Sequence, residues 1–393
     1  MVANQVLSEV EYRVVGKRPI RPDGVDKVTG RAQYGSDLRL TGTLQAKILR
    51  SPHAHAKIKS IDTSAAEKCP GVRAVITGRD LPLSARLSNA APGEISDSDR
   101  QRMSFQANNF LAGDKVLYKG HAVAAVAAVD ANTAEAALAL IKVEYEELPP
   151  VVNVREAMEP GSTLLHDHLH TSSMGESSEK PSNVASYMLF EKGDVEQGFS
   201  ESDIVIEREY ETASVHQGYI EPHTATAHWN TDGQLNIWCS TQGSFVVRAT
   251  TSEVLQYPIS KIKVTPMEIG GGFGGKVTCY QEPVVAVLSK KTGQPVKLVM
   301  SRTEVFEASG PAPGSWMKVK LGAAKDGKLI SGKVTLAFEA GAFPGSPVLP
   351  GSTCSLACYD IPNGLNEAYD VVVNNPKTAA YRAPGSPQAA FAV

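Results

Sequence analysis

Gly270-Gly-Gly-Phe-Gly-Gly-Lys276 is the densest chemical signal in the chain. Its flanks predict a strand at Lys261–Pro266 before it, and after it an apolar helix around Glu282–Lys290 that ends near Gly293. Three ligand patterns fit the loop at once. Gly270, Gly272 and Gly275 match the dinucleotide fingerprint G-x-G-x-x-G, and Glu304 lies at a tolerable distance for the ribose acid. Gly270, Gly275 and Lys276 match G-x-x-x-x-G-K, but Val277 stands where a phosphate loop needs Ser or Thr to hold magnesium. The third reading is a loop whose backbone N–H groups approach some other anionic or oxo ligand, since glycine permits close approach and positive φ. A glycine turn that only packs is the fourth. Spacing alone puts the dinucleotide reading in front.

Outward from the loop, the second half reads as mixed α/β. Two Asp-Gly pairs, Asp232-Gly233 and Asp326-Gly327, each separate runs of strand character: Ala225–Trp229 from Leu235–Ser240, and Met317–Leu321 from Leu329–Phe338. Such pairs predict hairpins with type I′ turns. A helix is expected at Val247–Gln256 and a strand at Val296–Met300. Upstream, residues 151–183 mix Pro, Ser, Glu, His and Gly and read as a crossing linker. Before it, residues 16–150 read as a separate α+β unit. Its clearest pieces are an apolar strand at Ala122–Val129 and an alanine-rich helix at Ala131–Ile141, capped by Asp130 or Asn132.

Composition narrows the function classes. The 393 residues are 42% hydrophobic and 21% charged with a net charge of -3, which describes a globular chain of two or three domains. Its 39 basic residues are spread against 42 acidic ones, so a nucleic-acid binder drops out. No apolar run approaches the length of a membrane span and the first residues lack a leader's apolar core, making the cytoplasm the expected compartment. The five cysteines follow neither a zinc nor a plant-type iron–sulfur spacing. If electrons move, another chain carries them. His166-Asp-His-Leu-His170 reads as solvated linker histidines, and His53 and His55 as incidental in a turn. Cys354 and Cys358 read as core thiols. His216-Gln-Gly-Tyr-Ile-Glu-Pro-His223 fits a structural polar corner and a catalytic one equally well.

Several segments together carry a family resemblance. They are the entry Val15–Tyr34, the turn Arg50-Ser-Pro-His-Ala-His55, Gly120-His-Ala-Val-Ala-Ala-Val126, Lys192–Phe199, His216–His223, Ser240-Thr-Gln242, the glycine loop and Tyr381-Arg-Ala-Pro-Gly385. In this order they resemble the molybdopterin-binding subunits of the xanthine dehydrogenase/aldehyde oxidase family of molybdenum hydroxylases, closest in style to split nicotinate-dehydrogenase-type enzymes. The resemblance covers Gly16 to Val393. It implies an α/β hammerhead domain over 16–150 and a mixed α/β first molybdenum-cofactor-binding domain over 184–393. The second such domain is expected on a partner subunit, the alternative being that this chain is a fragment of a longer polypeptide.

The resemblance also implies roles. The Phe273 amide and the Gln242 side-chain amide would approach the oxo ligands of molybdenum, Arg382 would lie beside the cofactor, and Gly271, Gly272 and Gly274 would complete the cradle. The pterin, expected in its cytosine dinucleotide form, would hold the metal. The implied reaction hydroxylates an electron-poor carbon of an N-heteroaromatic or aldehyde substrate with oxygen derived from water. Partner chains would supply the general-base glutamate, 2Fe–2S clusters and FAD. Val277, Pro350 and Pro384 fall in the implied substrate pocket. Purine oxidisers carry Glu at the first of these positions, Arg at the second, and Gly-Phe in place of Ala383-Pro384, so xanthine is disfavoured. The carbon monoxide dehydrogenase loop, with Cys and Arg after Ala-Tyr-Arg, is replaced by Ala383-Pro-Gly-Ser386. The apolar ending Ala389–Val393 is expected to be half of an interface. Two alternatives stay open: a dinucleotide-binding oxidoreductase built on Gly270–Lys276, and a non-catalytic scaffold subunit.

Overall fold

The strand Leu44–Arg50 joins the two halves of the chain. In the computed structural model, which describes residues 12–393, it pairs in parallel with Val296–Val299 and antiparallel with Ala122–Ala128. The reading of the first residues as lacking a leader falls largely on residues 1–11, outside the described ones. The resulting seven-stranded sheet runs Ile262–Pro266, Leu235–Cys239, Thr224–Trp229, Val296–Val299, Leu44–Arg50, Ala122–Ala128, Val72–Thr77. Four strands come from the second half and three from the first, so one core crosses the expected boundary. Ala122–Ala128 is buried along its whole length, which is why it reads as a continuous apolar run rather than an alternation. Helix Ala131–Leu138, capped by Asp130 through the Thr133 amide, belongs to the core on one side of that sheet. Helix Glu282–Thr292, buried from Glu282 to Ser289 and ended by Gly293 at φ +66°, belongs to the core on the other.

A second seven-stranded sheet runs Ile204–Thr212, Ser315–Ala323, Leu329–Gly341, Asn363–Val372, Val184–Lys192, His170–Ser173, Glu176–Pro181. Lys115–Val116, Ala56–Asp62 and Lys142–Glu147 form a small third sheet. Residues 151–183 are therefore not a bare linker. They hold the helix Val154–Met158 and an edge hairpin, polar because its strands are largely open to solvent. That hairpin turns at Met174 and Gly175, both at positive φ as a type I′ turn demands.

Both Asp-Gly hairpins form, but not with type I′ turns. Positive φ falls on Gly233 and Gly327 alone. The paired bonds Gly233 N–H to Asn230 O and Asn230 N–H to Gln234 O, repeated at Gly327, Ala324 and Lys328, define longer loops closed by one left-handed glycine. Of the two cysteines read as core, Cys354 packs at the edge of a core cluster and Cys358 is exposed.

Asn374 ties the halves together from a buried position, 3% exposed. Its Oδ1 accepts from the Val151 N–H at 2.8 Å, and its Nδ2 donates to the carbonyls of Leu117 at 2.8 Å and Ala54 at 3.3 Å. Truncation orphans all three backbone groups, so Asn374→Ala is expected to cost about 3 kcal/mol, read by denaturant unfolding. A cost below about 0.5 kcal/mol, the level of an ordinary surface substitution, would contradict this role.

Candidate functional site

The glycine loop does not open a helix. Helix Glu282–Thr292 starts six residues after Lys276, so the loop does not run straight into the helix that follows it, as the dinucleotide and phosphate-loop patterns require. Lys276 is fully buried and its ammonium lies 2.7 Å from Glu221 Oε2, where it cannot reach a phosphate. Burial pulls this ammonium below its ordinary pKa, with Glu221 opposing. Glu304 is also committed: it closes a capping box with Ser301 and pairs with Arg50 at 3.1 Å. These contacts overturn the nucleotide readings.

The glycines are required instead by crowding. A Cβ on Gly270 would lie 2.6 Å from Glu221, on Gly272 2.6 Å from Gln242 Oε1, on Gly274 2.6 Å from the Ala380 carbonyl, and on Gly275 2.8 Å from Gln217. Within the loop, Gly275 N–H bonds to Gly272 O, and the two residues between have φ of +53° at Phe273 and +103° at Gly274. This is a tight primed turn, and its non-glycine member Phe273 carries backbone strain on the order of 1 kcal/mol or more. Gly271, also at positive φ, backs onto Tyr219.

The segment His216–His223 is the brace beneath this turn. Gln217 Nε2 donates to the carbonyls of Gly310 and Ala380. The Gly218 N–H donates to His216 Nδ1, so His216 carries its proton on Nε2 and donates it to Ser309 Oγ at 2.9 Å. Ser309 Oγ in turn donates to Val305 O. Tyr219 OH therefore donates to Ser309 Oγ and accepts from His223 Nε2 at 2.6 Å. The chain of bonds ends on a backbone carbonyl, which makes the polar corner a structural brace. Burial holds His216 and His223 below the ordinary imidazole pKa and pushes the Tyr219 phenol up. The segment 216–223 carries Gln217 and Glu221 into the family resemblance without giving either a role, and nothing in the sequence points to Ser309.

Three of the expected site residues come together. Gln242 Oε1 accepts from the Gly274 N–H at 2.9 Å and the Lys276 N–H at 3.3 Å, which leaves its Nε2 as an outward donor. Arg382 N–H donates to Phe273 O at 2.9 Å, joining the Tyr381–Gly385 loop to the glycine loop. Among the described residues, Gln242 Nε2, the Phe273 N–H and the exposed Arg382 guanidinium have no hydrogen-bond partner. Of the implied pocket residues, Val277 lies on the side of helix Ser244–Leu255, its carbonyl against Gly243. Pro350 is exposed near the start of helix Val348–Ser355, and Pro384 precedes Gly385, which packs against Pro347 and Gly351 of that helix. The apolar ending is half hidden: Ala389 and Ala392 are buried and Phe391 is 61% exposed against Tyr210.

No histidine joins the outward donor set, His216 and His223 being bonded within the brace. His166 lies among Phe105, His121 and Phe343 and donates to Ala342 O, so it is not a solvated linker group. His55 is buried against the Pro149 carbonyl. Among the described residues no group of three His, Cys, Asp or Glu side chains could hold a metal ion. An exposed set of N–H donors without an acceptor suits the oxo or phosphate periphery of a cofactor whose metal is held by its own organic ligand.

The fold and this donor set fit a protein that binds an anionic or oxo-bearing cofactor, and comparison with known proteins names the domain class. Residues 177–393 match the molybdopterin cofactor-binding domain, and residues 29–149 match the aldehyde oxidase and xanthine dehydrogenase a/b hammerhead domain. The nicotinate dehydrogenase large molybdopterin subunit of Eubacterium barkeri is 32% identical over 96% of this chain and 84% of its own. A probable xanthine dehydrogenase subunit of Bacillus subtilis is 34% identical over 95% of this chain and 47% of its own. Aldehyde oxidoreductase from Desulfovibrio gigas superposes with a TM-score of 0.83 at 28% identity, over 95% of this chain and 40% of that one. The chain thus spans about half or less of the Bacillus and Desulfovibrio proteins, and most of the Eubacterium one. It belongs to the xanthine dehydrogenase/aldehyde oxidase family of molybdenum hydroxylases, which are molybdenum-dependent oxidoreductases, as a molybdopterin-binding large-subunit chain. Its N-terminal part carries the hammerhead domain.

Proposed function

We propose that the chain is the molybdopterin-binding subunit of a cytoplasmic, multi-subunit hydroxylase acting on an electron-poor carbon of an N-heteroaromatic or aldehyde substrate. The observation that carries this reading is the trio of unpartnered donors at Phe273 N–H, Gln242 Nε2 and Arg382 on adjoining loops. When bound, the molybdenum cofactor supplies a two-electron oxidation in which the incoming oxygen derives from water. The Phe273 N–H and Gln242 Nε2 would hold the bound cofactor by hydrogen bonds to its oxygen acceptors, and Arg382 would neutralise negative charge beside it. Gly271, Gly272 and Gly274 let the backbone approach. Val277, Pro350 and Pro384 shape the substrate side without the charged partners a purine needs.

The division into a hammerhead unit over 16–150 and a first cofactor domain over 184–393 is supported by the two matched regions, with 151–183 as a folded connection. A relative named as a large molybdopterin subunit, 84% covered by this chain, supports reading the chain as one subunit of several; the second cofactor domain and a general-base glutamate are expected on a partner chain. The cofactor is expected as the cytosine dinucleotide, with 2Fe–2S and FAD subunits taking the electrons.

Metal and nucleotide analysis of the native assembly tests this, followed by turnover with nicotinate, purines and aromatic aldehydes. Molybdenum in equimolar amount to this chain is expected, with nicotinate-type or aldehyde substrates preferred over xanthine. An assembly free of molybdenum, or a nicotinamide dinucleotide retained by this chain, would refute the reading. Gln242→Leu or Arg382→Ala with unchanged turnover would favour a scaffold role.

A further inference from the structure

One carboxylate oxygen grips both ends of the glycine loop. Glu221 Oε2 accepts from the Gly270 N–H at 2.7 Å and from Lys276 Nζ at 2.7 Å, while the Glu221 N–H donates to Gly270 O at 3.1 Å. Lys276 has no exposed surface, and its ammonium also sits 4.9 Å from the Tyr219 ring centroid. From Lys276 the grip passes to the donor side: its carbonyl accepts from the Gln242 N–H at 2.8 Å and from Thr241 Oγ at 3.1 Å, and its N–H donates to Gln242 Oε1. Between these two fixed ends the chain turns within five residues, with Phe273 at φ +53°.

We propose that Glu221 and Lys276 are positioning residues, a buried ion pair that sets the bite of the glycine loop so that the Phe273 N–H and Gln242 Nε2 stand where a cofactor's oxo face can use both. Lys276 has no exposed surface from which to donate to that face itself, and the Glu221 carboxylate is an acceptor only. A fold needing only filled volume would be served as well by apolar side chains here, because desolvating two charges costs more than packing them away. The inference rests on the proposed cofactor reading.

The test is made on the native assembly, with Glu221→Gln and with the double variant Glu221→Gln/Lys276→Met. The double variant keeps an amide oxygen for the Gly270 N–H and removes both charges at similar volume. It is therefore expected to hold its unfolding temperature near wild type. Its loop should nonetheless loosen. Amide exchange over residues 270–277 is expected to quicken about tenfold, molybdenum per assembly to fall by more than half, and the molybdenum(V) electron paramagnetic resonance signal of the remaining loaded fraction to shift or broaden. Glu221→Gln alone strands a buried ammonium and is expected to lose stability as well. A double variant with wild-type exchange, occupancy and resonance signal would overturn the proposal, and so would one that fails to fold, since the pair would then be a folding element. A wild-type assembly without molybdenum would instead sink the cofactor reading and leave the measured grip on the loop to stand or fall by its exchange rates.

Discussion

Gly274→Ala is expected to lower the turnover efficiency of the assembled enzyme on the order of 100-fold, the scale of a displacement near 1 Å in a positioned group. Gly274 has φ +103°, which an L-residue rarely adopts, and its new Cβ would lie 2.6 Å from Ala380 O and 2.8 Å from Ala380 C. Those are backbone atoms, and the Ala380 carbonyl is itself held by Gln217 Nε2 at 2.9 Å, so the neighbour cannot step aside. The loop must move instead. Its first casualty is the 2.9 Å bond from the Gly274 N–H to Gln242 Oε1, the bond that aims Gln242 Nε2 outward. Gly327→Ala is the matched control: φ is +89° there, but no atom lies within 4 Å of the added Cβ. It should cost only the backbone term, about 1 kcal/mol, and leave kinetics untouched. Steady-state kinetics and denaturant unfolding of both variants decide the matter. Equal, small effects in the two would mean that crowding at Ala380 is not what demands glycine.

The contrast between these glycines also shows what the sequence could disclose. Gly233, Gly293 and Gly327 do local jobs, ending a helix or closing a hairpin, and their neighbours in the chain are enough to read them. Gly270–Gly275 answer to Glu221, Gln217, Gln242 and Ala380, residues 30 to 106 positions away, so several ligand patterns fit the loop as long as those partners are out of view. Strand existence is legible from apolar runs; the pairing of Leu44–Arg50 with Val296–Val299 is not, because register across some 250 residues leaves no local trace. The polar hairpin at 170–181 reads as linker for a related reason. An edge hairpin lacking a buried face shows no alternation to read. Residues 216–223 carry a visible excess of polar types, yet the direction of their hydrogen bonds depends on the His216 tautomer, which only the Gly218 amide fixes.

Acid should unfold this chain well before its carboxylates are exhausted. Burial holds His121 and His166 to pKa values of about 4, and His55, His216 and His223 also stand below the ordinary value. Geometry fixes His121 as neutral: Nδ1 accepts from the Leu117 N–H at 3.2 Å while Nε2 donates to Asn108 O at 2.7 Å, so a second ring proton would face a donor. The unfolded chain takes up protons near pH 6.5, and the folded chain resists until about 4. Between those values the unfolded state binds more protons, so stability is complete above 6.5 and falls as pH falls. His121 contributes about 3 kcal/mol of this, and the partly exposed His166 less. Glu339 runs the other way. Burial raises its carboxyl to about 6, so its folded form is favoured when protonated, and that stability is lost as pH rises from 4.5 through 6. Its contribution is about 2 kcal/mol, too small to offset the histidines. Unfolding free energy measured from pH 7.5 to 4 is therefore expected to decline below pH 6.5, and a His121→Gln/His166→Gln variant to decline less steeply from a lower start. A wild-type profile that stays level through pH 5 would show that these imidazoles are reached by water, and that the seam between the halves opens more readily than its packing implies.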